Sequence, residues 1–399
     1  MPGRYNSLPP SSAYIRTSAF FNHPAPEVPS HIFLLLGLLF DMWPFKKKEV
    51  VDYEELDNSP DFALKTILPP EFGMNDLELL ETVGTGTFGR VRLCRSIADN
   101  KYYALKMMKK AAIVKHKQLA HVQNEVKILS RLKNEFIVDF HGLFQDDNNI
   151  YMVMEYVQGG ELFSHLRRKK KFTEDEAKFF MCELISTVES LHKLLIAHRD
   201  IRPENMLIKS DGHICLADFG FAKIVPEQTY TLCGNPEYIA PEVISGKGHG
   251  RAVDYWQLGI LLYEMLYGHP PFFGENPFVV YQLVLKGRVK FSAATLVGVP
   301  AKNLIKGLLV VDRKSRLGSG FGGVRSLKSQ LFFMGISWDS VGKRLLVPPF
   351  VPTVKSDGDT SNYDYYPEEA VEEIGNLTKE ERAMFKEFDV LLDRPVSVS

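Results

Sequence analysis

Two short segments constrain this chain more than anything else in it: Ala197-His198-Arg199-Asp200-Ile201-Arg202-Pro203-Glu204-Asn205, and Ala217-Asp218-Phe219-Gly220. Asp200 and Asn205 stand five residues apart on a proline-containing loop, and Asp218 follows thirteen residues later. Between them lie a turn signal, Asp211-Gly212, and an apolar run at 214–216 that reads as a strand. A carboxylate that can accept a proton, two hard oxygen donors and nearby cations form a set with one demanding use. Phosphoryl transfer needs a base for the attacking hydroxyl, ligands for Mg²⁺ and charge to offset the phosphate. On that chemistry Asp200 is the expected base, and Asn205 and Asp218 are the expected metal ligands. Each triplet alone also fits a solvated turn, so the reading needs support from elsewhere in the chain.

Support comes from Glu81-Thr82-Val83-Gly84-Thr85-Gly86-Thr87-Phe88-Gly89-Arg90-Val91. The spacing GxGxxG is weak alone, because dinucleotide-binding folds share it. There the glycines open a helix. Here residues 90–93 alternate apolar and polar, Ala98-Asp99-Asn100-Lys101 gives a turn, and Tyr102-Tyr103-Ala104-Leu105-Lys106 is a second strand-like run. The glycines are therefore expected at a hairpin tip, where backbone N–H groups can approach phosphates without a Cβ in the way. Lys106 lies seventeen residues past Gly89 in an apolar strand, where an uncompensated ammonium is costly. Phosphate oxygens and a carboxylate from the next helix would pair it, and Glu125 in the helical stretch 120–132 is the candidate. A structural lysine on an edge strand is the alternative from this segment alone.

Composition narrows the classes. With 399 residues, two packed units are expected at roughly 150 residues each. Lys and Arg total 48 against 49 Asp and Glu, which argues against a nucleic-acid-coating protein. Apolar residues at 45% and charged at 24% fit a globular chain. Cys94, Cys182, Cys215 and Cys233 are spaced by 88, 33 and 18 residues, which suits neither a zinc site nor a disulfide framework. A reducing compartment follows, hence the cytoplasm, with the nucleus left open by the basic run Arg167-Arg168-Lys169-Lys170-Lys171. That run is read first as the solvated face of a helix.

Residues 1–45 read as a proline-dense, disordered leader carrying a short apolar run at 32–40. The run is too short to span a bilayer, which takes about 20 residues. An interfacial membrane anchor is one reading of it, and a segment docked on the folded domain or without a role is the preferred one. Pro2 stands where a myristoylated chain needs glycine. Residues 46–76 are expected to form a linker with a short helix, stopped by Pro69-Pro70.

Taken together, GTGTFGRV, YALK, MVMEYVQGGELFSHLRR, ADFGFAK, TLCGNPEYIAPE and DTSNYDYY resemble the eukaryotic protein kinases. The likeness is to the AGC serine/threonine group, nearest to cAMP-dependent protein kinase catalytic subunits and their relatives. It covers residues 77–333 as the kinase domain, with a small lobe to about residue 155 and a large lobe from 156. An AGC-type tail would occupy 334–399. The resemblance implies an α+β, bilobal fold, a small antiparallel sheet with one main helix above a mainly helical lobe. It implies ATP and Mg²⁺. Val83, Gly84, Thr85, Gly86, Thr87, Phe88, Gly89, Val91 and Ala104 would surround the nucleotide. Met154 would stand behind the adenine, Glu155 and Val157 at the hinge, Glu161 at the ribose, and Lys106 with Glu125 at the α- and β-phosphates.

The same resemblance assigns substrate and control. Glu161, Glu204 and Glu264 match positions that receive arginines upstream of the phosphorylated residue, where a carboxylate–guanidinium pair favours Arg over Lys. Leu232, Pro236 and Ile239 would form the pocket for the following apolar residue. Protein substrates of the form Arg-Arg-x-Ser/Thr-apolar are thus implied. Phosphorylated Thr231 would meet Arg199, Lys223 and His121. Glu242 would pair with Arg316, and Asp254 would brace the catalytic loop. Tyr363-Asp364-Tyr365-Tyr366 resembles the segment that closes over the nucleotide. Phe385 and Phe388 resemble a motif that docks on the small lobe, followed by Asp389 in place of a phosphorylatable residue.

Three positions depart from the family. Arg202 stands where a lysine contacts the transferred phosphate, and Asn235 where a threonine bridges that lysine and the catalytic aspartate. Both are counted with the catalytic set. Tyr230 replaces a tryptophan on the surface that helps bind an inhibitory, cAMP-binding regulatory subunit, which weighs against that partner. Two readings stay open: an active serine/threonine kinase, or a nucleotide-binding scaffold with little transfer activity because of Arg202 and Asn235.

Overall fold

The computed structural model describes residues 72–367 and 377–388. The leader with its apolar run, the short helix expected before Pro69-Pro70, and Asp389 lie outside them. Strands β1 (Leu77–Gly86) and β2 (Gly89–Ser96) form the hairpin whose two-residue tip is Thr87-Phe88. Strand β3 (Tyr102–Lys109) runs directly into α1 (Lys110–Lys115), and α2 (Leu119–Leu129) follows. Strands β4 (Phe140–Gln145) and β5 (Asn149–Glu155) complete an antiparallel sheet in the order β1-β2-β3-β5-β4. In this register Lys106 faces Val91 on one side and Met152 on the other. The lysine therefore sits on a central strand, which excludes the edge-strand alternative.

Helix α2 is shorter than its expected 120–132, with Ser130 as its C-cap. Four residues on, the Asn134 side chain accepts from the Phe136 N–H at 2.9 Å, a local turn that competes with helix. Its apolar stripe (Val122, Val126, Ile128, Leu129) is buried, and Glu125 lies buried on the same side.

The large lobe holds α3 (Leu162–Lys169), α4 (Glu174–Lys193), short strand pairs β6 (Ile196–Ala197) with β9 (Lys223–Ile224) and β7 (Met206–Ile208) with β8 (Ile214–Leu216), then α5 (Pro241–Ile244), α6 (Ala252–Tyr267), α7 (Pro277–Lys286) and α8 (Val299–Leu308). Helix α4 starts on a reciprocal cap: Thr173 Oγ1 accepts from the Glu176 N–H, and the Glu176 carboxylate accepts from the Thr173 N–H. Acidic residues fill its first turn and His192 and Lys193 its last, as the helix dipole favours. Helix α6 is buried from Val253 to Tyr267 and ends on Gly268 at φ +83°. A helix apolar all round belongs in a core. Its few polar residues, Asp254, Gln257 and Glu264, therefore need partners, and all three find them at the site. Arg316 and Glu242 form a buried, two-pronged pair at 2.8 and 2.8 Å, as expected.

The architecture is α+β and bilobal, as the resemblance implies. Among the described residues no helix is long and apolar enough to cross a membrane. Phe385 and Phe388 are each 1% exposed and stack at 6.1 Å. They dock on the small lobe, where Lys110 lies 5.2 Å over the Phe385 ring and Gln145 donates to the Phe385 carbonyl at 3.3 Å.

Candidate active site

Two loops meet beneath the sheet, and α6 holds one of them. The Asp254 carboxylate accepts from the His198 N–H at 3.0 Å and the Arg199 N–H at 2.8 Å, and it also meets His192 Nε2 at 2.7 Å. Gln257 adds two bonds, accepting from the Ile201 N–H at 3.0 Å and donating to the Arg199 carbonyl at 2.8 Å. Arg199 stands at φ +68°, a left-handed conformation that a bulky residue adopts only when its surroundings over-determine it. The bonds from α6 supply that restraint. Asp254 was foreseen, and Gln257 was missed. Its signal was a lone amide three residues on from Asp254 in an apolar helix.

The restraint fixes Asp200. Its Oδ2 accepts from Asn205 Nδ2 at 2.8 Å, and the same nitrogen donates to the Asp200 carbonyl at 2.8 Å. Asp200 Oδ1 is buried and has no hydrogen-bond partner, so one lone-pair face of this carboxylate is satisfied and the other is not. Burial raises its pKa to about 6 although Arg202 opposes the shift. Asp218, at φ +54°, is ordered by its own loop, its Oδ1 accepting from the Gly220 N–H at 3.2 Å. Phe219 is wholly buried against His198, with ring centroids 4.7 Å apart.

Lys106 reaches across from the sheet. Its Nζ lies 2.6 Å from Glu125 Oε1 and 3.3 Å from Asp218 Oδ1. Burial works against the ammonium, but the Asp218 and Glu125 carboxylates outweigh it and raise its pKa. Lys106 in turn lowers the pKa of Asp218, while burial raises that of Glu125. Thus β3, α2 and the loop after β8 are tied by one cation.

Above this cluster the wall is apolar. Val83 and Ala104 belong to a buried group against which Val91 and Tyr363 pack. Met154 is half-buried at the end of β5, and Glu155 turns its carboxylate to Lys209 at 2.9 Å. The Tyr363 hydroxyl donates to the Val157 carbonyl at 2.6 Å and its ring stacks on Tyr156, which fastens the tail to the segment between the lobes. Thr85 pairs with Arg90 in the hairpin, Gly86 and Thr87 are exposed at its tip, and the Phe88 ring lies 5.8 Å from His116. A Cβ on Gly84 would meet only Val91 at 3.6 Å, and one on Gly86 nothing nearer than 4.0 Å. On Gly89 it would fall 1.8 Å from the Met107 carbonyl oxygen. The packing of β2 on β3 therefore also requires a glycine at 89.

The peptide-facing side departs more from expectation. Arg202 forms a fork with Glu204, Nε at 2.9 Å and Nη2 at 2.7 Å. Glu264 accepts from the Tyr238 hydroxyl at 2.5 Å and lies 3.4 Å from Arg167 Nη2. Arg167 also covers the Phe163 ring at 4.6 Å, yet it stays exposed with Arg168, Lys169, Lys170 and Lys171, the solvated face its basic run suggested. Asn235 Oδ1 accepts from the Glu237 N–H at 2.9 Å, closing a local turn. The expected bridge from Asn235 to Asp200 does not fill Oδ1. Glu161 begins α3 and bridges to Leu207. Of the three apolar-pocket residues, Ile239 is buried, Pro236 half-buried and Leu232 59% exposed.

Thr231 is exposed, while Arg199 and Lys223 sit close enough to His121 to depress its pKa together with burial. Arg199 Nε donates to the Phe221 carbonyl at 2.6 Å, and its Nη1 is buried without a partner. Lys223 donates to Thr229 Oγ1 at 2.9 Å. Cys233, nearby, has its thiol pKa raised by burial, which makes it a poor thiolate source.

The residues fit a phosphate-bearing ligand with its metal on these observations: an open glycine hairpin, a paired lysine, and a carboxylate with one orphaned oxygen. Among the described residues no group of three or more His, Cys, Asp or Glu side chains could hold a metal ion unaided. Asn205 and Asp218 would need ligand oxygens to complete a Mg²⁺ shell, as is usual for that ion.

A family model for the protein kinase domain matches residues 77–333. The chain is 45% identical over 320 residues to the human "cAMP-dependent protein kinase catalytic subunit PRKX", covering 80% of this chain and 89% of that protein. It is 46% identical over 298 residues to "cAMP-dependent protein kinase catalytic subunit 3" of Drosophila melanogaster, covering 75% and 51%. Over 300 residues it is 43% identical to "cAMP-dependent protein kinase type 3" of Saccharomyces cerevisiae, covering 75% of each.

Proposed function

The chain belongs to the protein kinase family, and from that premise we propose that it moves the γ-phosphoryl group of ATP to serine or threonine in proteins, in basic Arg-Arg-x-Ser/Thr-apolar sites. The observation that carries the reading is the single unpartnered, buried oxygen of Asp200. A substrate hydroxyl placed there donates its proton to Oδ1, and its oxygen forms the new bond to phosphorus as the bond to ADP breaks. A carboxyl raised to about 6 is still ionised at neutral pH, and it is a stronger base than an ordinary aspartate.

Lys106, held by Glu125, would grip the α- and β-phosphates, and the hairpin 84–89 would cover them. Val83, Val91, Ala104 and Met154 would sandwich the adenine, Glu155 and Val157 would offer it backbone at the hinge, and Glu161 would meet the ribose. Asn205 and Asp218 would hold Mg²⁺, whose charge would offset that of the phosphate oxygens. The Asn205 nitrogen is spent on Asp200, which leaves its amide oxygen for the metal. Phosphate on Thr231 would find the buried, unpartnered Nη1 of Arg199 together with Lys223 and His121. Tyr230 is 60% exposed. A regulatory subunit, if this chain binds one, would meet a phenol there.

The scaffold reading is not favoured. Arg202 and Asn235 change the surroundings of Asp200, but neither blocks its free oxygen. The test is γ-phosphate transfer to an Arg-Arg-x-Ser peptide with Mg²⁺, with Asp200→Ala as the control. Transfer by the natural chain alone supports the kinase, and equal rates in both would leave a scaffold.

A further inference from the structure

Glu204, Glu237 and Glu264 form one acidic cluster on the peptide-facing side: besides burial, Glu204 raises the pKa of both Glu237 and Glu264, and Glu237 that of Glu264. In the reading above, Glu204 and Glu264 would receive a substrate guanidinium. Both already have occupants from the chain itself. Arg202 meets Glu204 with two parallel N–H bonds, the geometry that makes guanidinium–carboxylate pairs specific. Arg202 is half-buried, its side chain 16% exposed. Arg167 and the Tyr238 hydroxyl take the two oxygens of Glu264.

Charge counting gives the same answer. Three carboxylates against two guanidiniums leave at most one negative charge, and burial lifts the Glu264 pKa to about 7, which removes part of that one. Glu161 lies elsewhere, at the start of α3 beside Leu207. Glu204 also acts on the Asp200 carboxyl, so its cluster borders the acceptor hydroxyl. The arginine it would receive is thus the nearer one, two residues before the acceptor.

We propose that Arg202 is a specificity-determining residue: with Arg167 it fills the Glu204–Glu264 subsite from within, so the enzyme demands the substrate arginine three residues before the acceptor and largely ignores the one two residues before it. A lysine at position 202 is a point charge without the fork, and would leave Glu204 open to substrate. The inference rests on the kinase reading, and the following experiment separates the two.

Transfer is measured as kcat/KM on a peptide with both arginines and on two peptides lacking one each. In the natural chain, loss of the nearer arginine is expected to cost less than about fivefold, the scale of a weak exposed pair. Loss of the farther one should cost more than about tenfold, the scale of a charge-assisted bond. In Arg202→Lys the cost of losing the nearer arginine should rise above about tenfold, whatever the absolute rate. Glu204→Gln should change that cost in an Arg202 background by less than about twofold. Equal, large costs for both arginines in the natural chain overturn the inference and leave the kinase standing. Absence of transfer to all three peptides overturns the kinase reading and the inference with it. The comparison within the natural chain needs no variant, so misfolding of Arg202→Lys does not blunt the test.

Discussion

The catalytic loop and the activation segment are neighbours, since a Cβ on Gly234 would lie 3.2 Å from the Arg199 carbonyl oxygen, yet they are held by opposite means. In the loop, His198, Arg199, Asp200 and Asn205 are all at most 9% exposed, and the N–H groups of 198, 199 and 201 are tied to α6. In the segment, Tyr230 and Leu232 are about three-fifths exposed and Thr231 is exposed too, while burial and Arg199 together lower the pKa of His121 and of Lys223. The loop is therefore finished by folding, whereas on the kinase reading the segment would be finished by an added anion on Thr231. Arg199 belongs to both: its backbone is fixed by Asp254, and one arm of its side chain stays unpartnered.

Changes that break this contrast can be ranked. Asp200→Ala should reduce transfer by about 10²- to 10⁴-fold, the contribution of a positioned base, with nucleotide affinity kept. A rate within threefold of the natural chain, roughly 0.7 kcal/mol, would remove Asp200 from the mechanism.

Asp254→Ala should destabilise the fold by about 3 kcal/mol, because two buried N–H groups and His192 lose their acceptor. Thermal melting reads this as a fall of about 6 to 12 °C in a domain of this size. Thr231→Ala, by contrast, should leave melting within about 2 °C, as an exposed substitution does. Equal losses in the two variants would erase the distinction between the regions.

The pH dependence probes the loop alone. Burial raises the Asp200 carboxyl to about 6, so the base is ionised above that pH and protonated below it. The free-enzyme kcat/KM for ATP should fall about tenfold per pH unit below that value. A profile flat down to pH 4.5 would contradict the burial account.

The tail offers a smaller check on the same lesson. Phe388 is buried, whereas Glu387 pairs at the surface with Lys127 at 3.2 Å and Gln123 at 2.8 Å. Phe388→Ala should cost about 3 kcal/mol and Glu387→Ala under about 0.5 kcal/mol in urea unfolding.

Much of this was legible in the chain. Lys106 in an apolar strand announced a missing anion, and Glu125 supplied it. A buried aspartate, Asp254, in a helix otherwise apolar marked the brace of the loop. What escaped was partner choice. Arg202 could reach a phosphate or its own neighbour, and only the bend at Pro203 brings Glu204 under its fork; the Arg-x-Glu spacing was the unused signal. Arg167 and Glu264 are 97 residues apart, and nothing local marks their meeting. At Gly89 a second demand was hidden, because phosphate approach and tight strand packing both call for a missing side chain, and sequence cannot separate them.

The central claim is that the loop is built by folding and the segment by a phosphate. It is tested most directly by transfer rate and ATP affinity on one preparation, before and after Thr231 is phosphorylated. The expected result is a rise in rate of at least about tenfold, with ATP affinity changed by less than about threefold, because one new charge-assisted contact set is worth a few kcal/mol and acts away from the nucleotide. An unphosphorylated chain already at full rate, or a rate gain carried wholly by tighter ATP binding, would contradict it.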